Sequence, residues 1–399
     1  MNDILSAVLS GMVFVLVQNN MNNMSGQRKI VVILGNGFDL DLGLKTSYKD
    51  FWESEYCPKN YPAPLIRHLN QCWPGNLESV RWYDLENELL TYYRNLQDVN
   101  SPKDILPDKD MELLHVMRKR EVFSPETQEE VDLIKRLIDL GILYRLAHDR
   151  RLHADYLEDL IALSPIERDK KALSLIKERL CKYLETAVKD YRYESIAYCT
   201  IVLLADLAYR GIPVEFYSFN YTSLEQRGIG IDDSRVNYIH GSCKDNDIIV
   251  GTRDDANINN NYLFLQKTFD HHYRSTKIVP DLLQAKEVII FGHSLGENDS
   301  QYFKAFFKQQ TDPSRPSPKD ITIFTKDEES AIQIKSSIQQ MTDGNLAALY
   351  SLNSVSIIKT SELEKDRVPF TRFLDKCIPD NSIAKEIVDK LIEKQSTQN

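Results

Sequence analysis

Short apolar segments bounded by turn residues recur along the chain and predict β-strands. The segments are nearly continuous, rich in β-branched residues, and lack the alternation of apolar and polar positions that marks a strand with one solvated face. They are Ile30–Leu34, Val214–Ser218, Val236–Ile239, Ile248–Val250, Val288–Phe291, Ile321–Phe324 and Val355–Ile358. Because strands buried on both faces are typical of a parallel sheet covered by helices, this pattern predicts an α/β fold.

Other segments carry apolar residues three or four positions apart, which is the spacing of an α-helix. Two of them, Asp299–Gln309 and Glu328–Met341, follow predicted strands, as the crossover connections of a parallel sheet require. Between the first strand and the second, helical periodicity dominates, as in Leu85–Leu96, Val131–Leu146, Ala172–Val188 and Ile196–Tyr209. The sequence therefore predicts a Rossmann-like parallel sheet with a large all-helical insertion after the first strand.

The length of the chain predicts two substructures, because 399 residues exceed what one hydrophobic core usually covers. Residues 28–56 and 210–380 are expected to form the two parts of the Rossmann-like core, and residues 57–209 the helical insertion. Residues 381–399 are expected to form a C-terminal helix with a frayed tail. Residues 1–27 are expected to be a leader or an over-extended N-terminus.

One apolar run, Ile4–Val17, is the candidate for a secretory signal or a membrane anchor. This run is shorter than a helix needs to span a bilayer comfortably. It also lacks the preceding basic residues and the small-residue cleavage site of a secretory signal. A membrane anchor is therefore disfavoured, and the cytoplasm is the expected location.

Composition and charge exclude several classes of protein. With 42% apolar and 27% charged residues the chain has the composition of a folded protein. Its net charge of −10 offers no basic stripe for phosphates, so specific nucleic-acid binding is disfavoured. The six cysteines are scattered without a C-x-x-C pair, and the sequence accordingly predicts no metal site.

The first strand is followed by a glycine turn, Gly35-Asn36-Gly37, which continues into Phe38 and Asp39. Glycines at such a turn let backbone amides approach a phosphate closely, and the helix that follows offers its positive end. The dinucleotide signature is incomplete, because Leu40 stands where a third glycine would be expected. The turn therefore predicts either a nucleotide-binding loop or a plain strand-to-helix connection.

A second glycine turn, Gly292-His293-Ser294-Leu295-Gly296, follows the strand Val288–Phe291 and satisfies the nucleophile pattern of esterases. The α/β-hydrolase fold of these esterases requires a catalytic histidine after the serine in the sequence. The last histidine of this chain is His293, which precedes Ser294. Serine hydrolysis through Ser294 is therefore a disfavoured alternative. In a nucleotide site, Gly292 would allow close backbone approach, while Ser294 and Asp299 could bind phosphate or ribose hydroxyls.

Two more predicted strands end in polar residues, in Ser218-Phe219-Asn220-Tyr221-Thr222 and in Ile239-His240-Gly241-Ser242. An open parallel sheet binds its ligand beyond the carboxyl ends of its strands, so these residues are candidates for a site. Each motif is common by itself. Together, and in this order, the glycine turn, Asn220, His240 and Ser294 indicate a shared cleft.

This ordered set resembles the AbiH family of bacteriophage abortive-infection proteins. The resemblance spans roughly residues 30 to 330 and is carried by Ile33–Leu40, Gly43–Tyr48, Trp82–Glu86, Phe219–Thr222, Ile239–Gly241 and Gly292–Asp299. It implies an effector that protects bacteria against phage. By analogy with other defence effectors, it also implies a phage-derived trigger protein as partner and a homo-oligomer.

The AbiH family in turn resembles the sirtuin-like NAD hydrolases of bacterial defence, through motifs that fall on Gly35–Asp39, Ser218–Thr222, His240-Gly241 and Gly292–Leu295. This implies NAD, or a related nucleotide, as substrate and requires no metal. His240 would be the general base and Asn220 the residue that positions water or the carboxamide. The chain departs from the sirtuin pattern at Asp39, where a serine is expected, and at Thr222, where an aspartate is expected.

Two other functions remain open at this stage. The core could bind a nucleotide as a non-catalytic sensor and pass a signal to a partner. A nuclease finds little support, because it needs convergent carboxylates, and Asp84 and Glu88 alone share a predicted helix face.

Overall fold

The computed structural model describes residues 28–73, 84–98, 108–118, 126–139, 163–189, 192, 194–225, 231–314, 316–378 and 381–398. The expected leader, residues 1–27, and the Trp82-Tyr83 part of the family motifs lie outside the described residues. The chain divides into two compact units. The first, here called the sheet unit, takes its described residues from Met1–Ser47, Leu184–Ile249 and His272–Asn399, and the second, the helical unit, from Tyr48–Tyr183 and Val250–His271.

The sheet unit contains a six-stranded sheet in which every neighbouring pair of strands is parallel. The strands are β1 (Ile30–Leu34), β2 (Val214–Ser218), β3 (Val236–Tyr238), β4 (Glu287–Phe291), β5 (Asp320–Thr325) and β6 (Ser354–Lys359). Their order in the sheet is β3-β2-β1-β4-β5-β6, so the chain moves outward from β1 on one side and resumes beside β1 with β4. The predicted α/β fold with a parallel sheet is confirmed.

One predicted strand is wrong. Ile248–Val250 is buried but forms no strand, and the amide of Ile249 instead donates to the carbonyl of His240 at 2.8 Å. A short apolar run can be buried in a loop as well as in a strand, and periodicity does not separate the two cases.

The helices described in the structure include most of those predicted. They are α1 (Asn36–Asp41), α2 (Tyr48–Glu53), α3 (Pro64–Cys72), α4 (Leu85–Asp98), α5 (Asp108–Arg118), α6 (Gln128–Asp139), α7 (Pro165–Ala187), α8 (Ile196–Tyr209), α9 (Ile278–Gln284), α10 (Ser300–Gln310), α11 (Glu328–Met341), α12 (Leu346–Leu352), α13 (Arg367–Cys377) and α14 (Asn381–Gln398). Among the described residues, none of the helices is both long enough and apolar enough to cross a membrane.

The two faces of the sheet are both covered by helices, which explains the nearly continuous apolar strands. In β1, Ile30, Val32 and Leu34 pack in one buried cluster with residues of α8, α13 and α14. Val31 and Ile33 point to the opposite face and pack with residues of α9, α10 and α11. Successive side chains of a strand alternate between faces, so a strand buried on both sides needs apolar residues at every position.

Within the helical unit, α3 and α4 are amphipathic helices that bury one face each. Leu65, Ile66 and Leu69 of α3 are buried, as are Leu85 and Leu89 of α4. Trp52 and Trp73 meet edge to face, with ring centroids 5.0 Å apart. The faces that α3 and α4 bury also carry His68 and Glu88, each three residues after a buried leucine.

Candidate functional site

The polar residues that follow β1, β2, β3 and β4 gather at one edge of the sheet. Because these strands are parallel and hydrogen-bonded neighbours, the turns that follow their carboxyl ends share that edge. Between β1 and β4 the strand order changes direction, which is where open parallel sheets bind their ligands. The candidate site is therefore built on the loops that leave β1, β2, β3 and β4.

The glycines of the first turn pack directly on the backbone that follows β4. A Cβ atom placed on Gly35 would lie 2.6 Å from Cα of His293, and one placed on Gly37 would lie 2.7 Å from Cα of Gly292. Gly292 has φ +67°, and a Cβ there would lie 2.2 Å from the amide nitrogen of Phe38. Close packing of two backbones is therefore sufficient to explain why these three positions are glycine.

Asn36 and Phe38, which flank Gly37 in the first turn, both have partners within the sheet unit. The side-chain oxygen of Asn36 accepts a hydrogen bond from the hydroxyl of Thr46 at 2.7 Å. Phe38 is buried and packs edge-on against Phe291, with centroids 5.5 Å apart. Phe38 therefore anchors the turn to the core.

Asp39 lies fully buried at the start of α1 and holds the loop after β2. Its Oδ1 accepts from Nδ2 of Asn220 at 2.9 Å, and its Oδ2 accepts from the hydroxyl of Thr222 at 2.6 Å. Nδ2 of Asn220 also donates to the carbonyl of Gly35 at 3.1 Å. A buried carboxylate is stable only when such donors satisfy it, so Asp39 and Thr222, the two departures from the sirtuin pattern, compensate each other.

A carboxylate between two imidazole rings forms the centre of the site. Oδ1 of Asp299 lies 2.8 Å from Nε2 of His240, and its Oδ2 lies 3.5 Å from Nε2 of His293. The side chains of both histidines are 5% exposed and that of Asp299 is 18% exposed. Asp299, which the sequence suggested as a ligand for ribose or phosphate, thus contacts the candidate base.

The protonation pattern of the two rings follows from their partners. The amide of Leu295 donates to Nδ1 of His293 at 2.9 Å, so in the neutral ring the proton of His293 lies on Nε2, facing Asp299. With Nε2–H of His240 directed at Asp299, the lone pair of His240 lies on Nδ1, an atom buried within the site. An imidazole oriented by a carboxylate in this way is the arrangement of a general base.

Aromatic rings enclose the two histidines. The ring of Phe219 lies 5.3 Å from that of His240 and 4.4 Å from that of His293, centroid to centroid. Tyr302 contacts His240 at 6.2 Å, and burial raises the pKa of its hydroxyl. Apolar walls of this kind keep bulk water from the charged groups that they surround.

Ser294 does not have the geometry of an esterase nucleophile. Its side chain is exposed, and its hydroxyl accepts from the amide of Gly296 at 3.3 Å. The left-handed backbone of this turn falls on Leu295, with φ +54°, and not on the serine that an esterase would hold in the strained position. The structure gives Ser294 no feature that favours serine hydrolysis.

The carboxylates considered for a nuclease do not converge. Asp84 caps the start of α4 by accepting from the amide of Asn87 at 3.0 Å. Glu88 instead contacts His68, 3.1 Å away, and Glu86 pairs with the buried ammonium of Lys267 at 2.9 Å. Each carboxylate therefore has a separate partner within the helical unit.

The partnership of His293 with Asp299 is the feature of the site that the sequence analysis missed. The sequence placed His293 in the second glycine turn but gave it no role. The available signal was that a histidine and an aspartate flank one turn after the same strand.

A family model described as Bacteriophage abortive infection AbiH matches residues 31–316, a range that includes the glycine turn, Asn220, His240 and Asp299. No curated protein and no solved structure matches the chain significantly.

Proposed function

Because the chain belongs to the AbiH family of bacteriophage abortive-infection proteins, we propose that it protects bacteria against phage by hydrolysing NAD or a related nucleotide in the cytoplasm. The observation that carries the proposal is the contact of His240 with Asp299, 2.8 Å apart, beyond the carboxyl ends of the central strands. The resemblance of the motifs to those of sirtuin-like NAD hydrolases supports the choice of substrate.

The chemistry of this reaction suits the groups that the site contains. Cleaving the bond between ribose and nicotinamide expels a neutral base from a cationic ring, so the leaving group needs no general acid. The site must instead activate water or a ribose hydroxyl. His240 would accept that proton on Nδ1, and the carboxylate of Asp299 would stabilise the imidazolium that forms.

Asn220 and the glycine turn would orient the substrate. Nδ2 of Asn220 donates to Asp39 and to Gly35, which fixes the amide plane and directs its carbonyl oxygen. We assign that oxygen to the carboxamide or the attacking water, and Gly292, Ser294 and the turn Gly35–Gly37 to the phosphates and ribose. A phage-derived trigger protein and assembly into a homo-oligomer would control this activity.

The proposal is tested with His240→Ala and Asp299→Asn in the full-length chain. Mass spectrometry of NAD and nicotinamide should show a fall in turnover of about 10²- to 10⁴-fold for His240→Ala, the usual contribution of a general base. Asp299→Asn should also lower turnover, because it removes the charge that stabilises the imidazolium. Protection in a plaque assay should fall in parallel.

Asp343→Asn is the matched control. Asp343 is an exposed residue paired with Lys308, and asparagine tolerates its left-handed backbone of φ +53°. Equal NAD consumption by His240→Ala and wild type, or no consumption by either during phage infection, would refute the proposed hydrolysis.

A nucleotide sensor without catalysis is the second candidate, and burial favours it. The His240 side chain is only 5% exposed and its Nδ1, the atom that would accept the proton, is buried, which favours binding over proton transfer. The two functions are separated by incubating the protein with NAD, ATP and cyclic nucleotides. A sensor would retain one nucleotide unchanged, whereas an enzyme would convert it.

A further inference from the structure

Three side chains of the kinds that ligate metals, two from α3 and one from α4, meet in the helical unit. Nε2 of His68 lies 3.1 Å from Oε2 of Glu88 and 3.5 Å from Sγ of Cys72. The imidazole, thiol and carboxylate atoms of the three residues all lie within 4.8 Å of one another. We refer to His68, Cys72 and Glu88 as the HCE cluster.

The two helices present these groups on a rigid support. His68 and Cys72 are four residues apart on α3 and so share one face of that helix. Leu65 and Leu69, three residues before His68 and Cys72 respectively, lie on that same face and are buried. Tyr92, one turn after Glu88 on α4, packs beside the His68 ring with centroids 5.4 Å apart.

The distances in the HCE cluster correspond to the edges of a tetrahedron around zinc. Zn–S bonds of about 2.3 Å and Zn–N bonds of about 2.0 Å place sulfur and nitrogen about 3.5 Å apart at the tetrahedral angle. The separation of Cys72 Sγ from His68 Nε2 is 3.5 Å. A nitrogen and an oxygen ligand should be separated by about 3.3 Å, and His68 and Glu88 are 3.1 Å apart.

The chemistry of the ligands selects among metals. Calcium and magnesium prefer oxygen ligands alone, whereas zinc combines thiolate, imidazole and carboxylate. Thiolate and carboxylate together also carry the charge that balances Zn²⁺. This matters because the side chains of His68 and Glu88 are only 13% and 27% exposed, and burial of unbalanced charge is costly.

We propose that His68, Cys72 and Glu88 bind a zinc ion, with the fourth coordination position open to water. Cysteine spacing alone does not reveal this site, because the cluster combines a His-x-x-x-Cys face with a glutamate from another helix. His68, Cys72 and Glu88 all belong to the helical unit, whereas Asn220, His240 and Asp299 belong to the sheet unit.

The test uses the full-length chain, stripped of metal with a chelator and titrated with Co²⁺, which substitutes for zinc and reports its ligands. Wild type should develop a near-ultraviolet band from thiolate-to-cobalt charge transfer, saturating at one ion per chain. Zn²⁺ should displace Co²⁺ and abolish the band.

Cys72→Ser should abolish the charge-transfer band and weaken Zn²⁺ binding by at least about 100-fold. Removing a group that only hydrogen-bonds to a metal ligand lowers metal affinity by up to about 100-fold, and removing a ligand itself should lower it at least as much. Cys57→Ser is the matched control: it removes a different free thiol of the helical unit, one that is buried and lies outside the HCE cluster. Glu88→Gln, which leaves all thiols in place, should weaken Zn²⁺ binding by at least about 10-fold.

Wild type without the band, or Zn²⁺ affinity that is equal in wild type, Cys72→Ser and Glu88→Gln, would overturn the proposal. If Cys72→Ser does not fold, the wild-type spectrum and Glu88→Gln decide the question. The experiment measures metal binding and not NAD turnover. A negative result would therefore overturn the zinc site without bearing on the proposed NAD hydrolysis.

Discussion

The amide of Gly37 donates a hydrogen bond to the carbonyl oxygen of Gly292 at 2.8 Å, which joins the turn after β1 to the loop after β4. The loop after β4 carries His293 and Asp299, and α1, which begins at that turn, carries Asp39. The glycines therefore set the distance between the two halves of the candidate site, whatever ligand it binds.

Gly292→Ala should prevent folding or cost more than about 4 kcal/mol of unfolding free energy. The added Cβ would lie 2.2 Å from the amide nitrogen of Phe38, and the left-handed φ of +67° adds strain. Gly211→Ala is the control, since Gly211 has φ +87° but open space around it and should cost only about 1–2 kcal/mol. Urea unfolding measures both, and equal losses would show that the close packing has no energetic weight.

Asp39 and Thr222 should be energetically coupled. Asp39→Asn removes the charge and leaves one acceptor oxygen for the two donors, Asn220 and Thr222, and Thr222→Val removes the hydroxyl that makes the buried 2.6 Å hydrogen bond. A double-mutant cycle should therefore give a coupling energy of about 1.5–3 kcal/mol, the usual range for hydrogen bonds to charged groups. Pairing Asp39→Asn with Thr371→Val, on the exposed face of α13, serves as the control and should give less than about 0.5 kcal/mol. A coupling energy below about 0.5 kcal/mol for Asp39 and Thr222 as well would mean that the two residues do not compensate each other.

Asp169 should make stability depend on pH within the helical unit. Burial raises the pKa of this carboxyl to about 6, even though it accepts from the amide of Leu65 and the hydroxyl of Tyr92. Because the folded state binds the proton more tightly than the unfolded chain, this contribution to stability is complete below about pH 4 and is lost as the pH rises through about 6.

Asp169→Asn removes that titration. Between pH 4 and pH 7.5 the stability of the variant relative to wild type should therefore rise by on the order of 3 kcal/mol, from roughly 1.4 kcal/mol per unit of pKa shift. Urea unfolding followed by tryptophan fluorescence, with Trp52 buried in the same unit, provides the measurement. A difference between variant and wild type that stays constant with pH would contradict this assignment.

The sequence by itself determined the class of fold. Continuous β-branched runs such as Ile30–Leu34 predict strands buried on both faces, and the structure places them in a parallel sheet. The polar ends of those strands also indicated where a site would be built. The fold prediction succeeds because strand type and burial depend on residues that are neighbours in the chain.

Only the tertiary structure decided what each of those residues contacts. The hydrogen bond from Asn220 to Asp39 joins residues 181 positions apart, and that between His240 and Asp299 joins residues 59 positions apart. Such contacts depend on strand order and on helix packing, which no local pattern encodes. For the same reason the glycines of the first turn proved to contact backbone, and His68, Cys72 and Glu88 became recognisable as a cluster only once two helices were packed together.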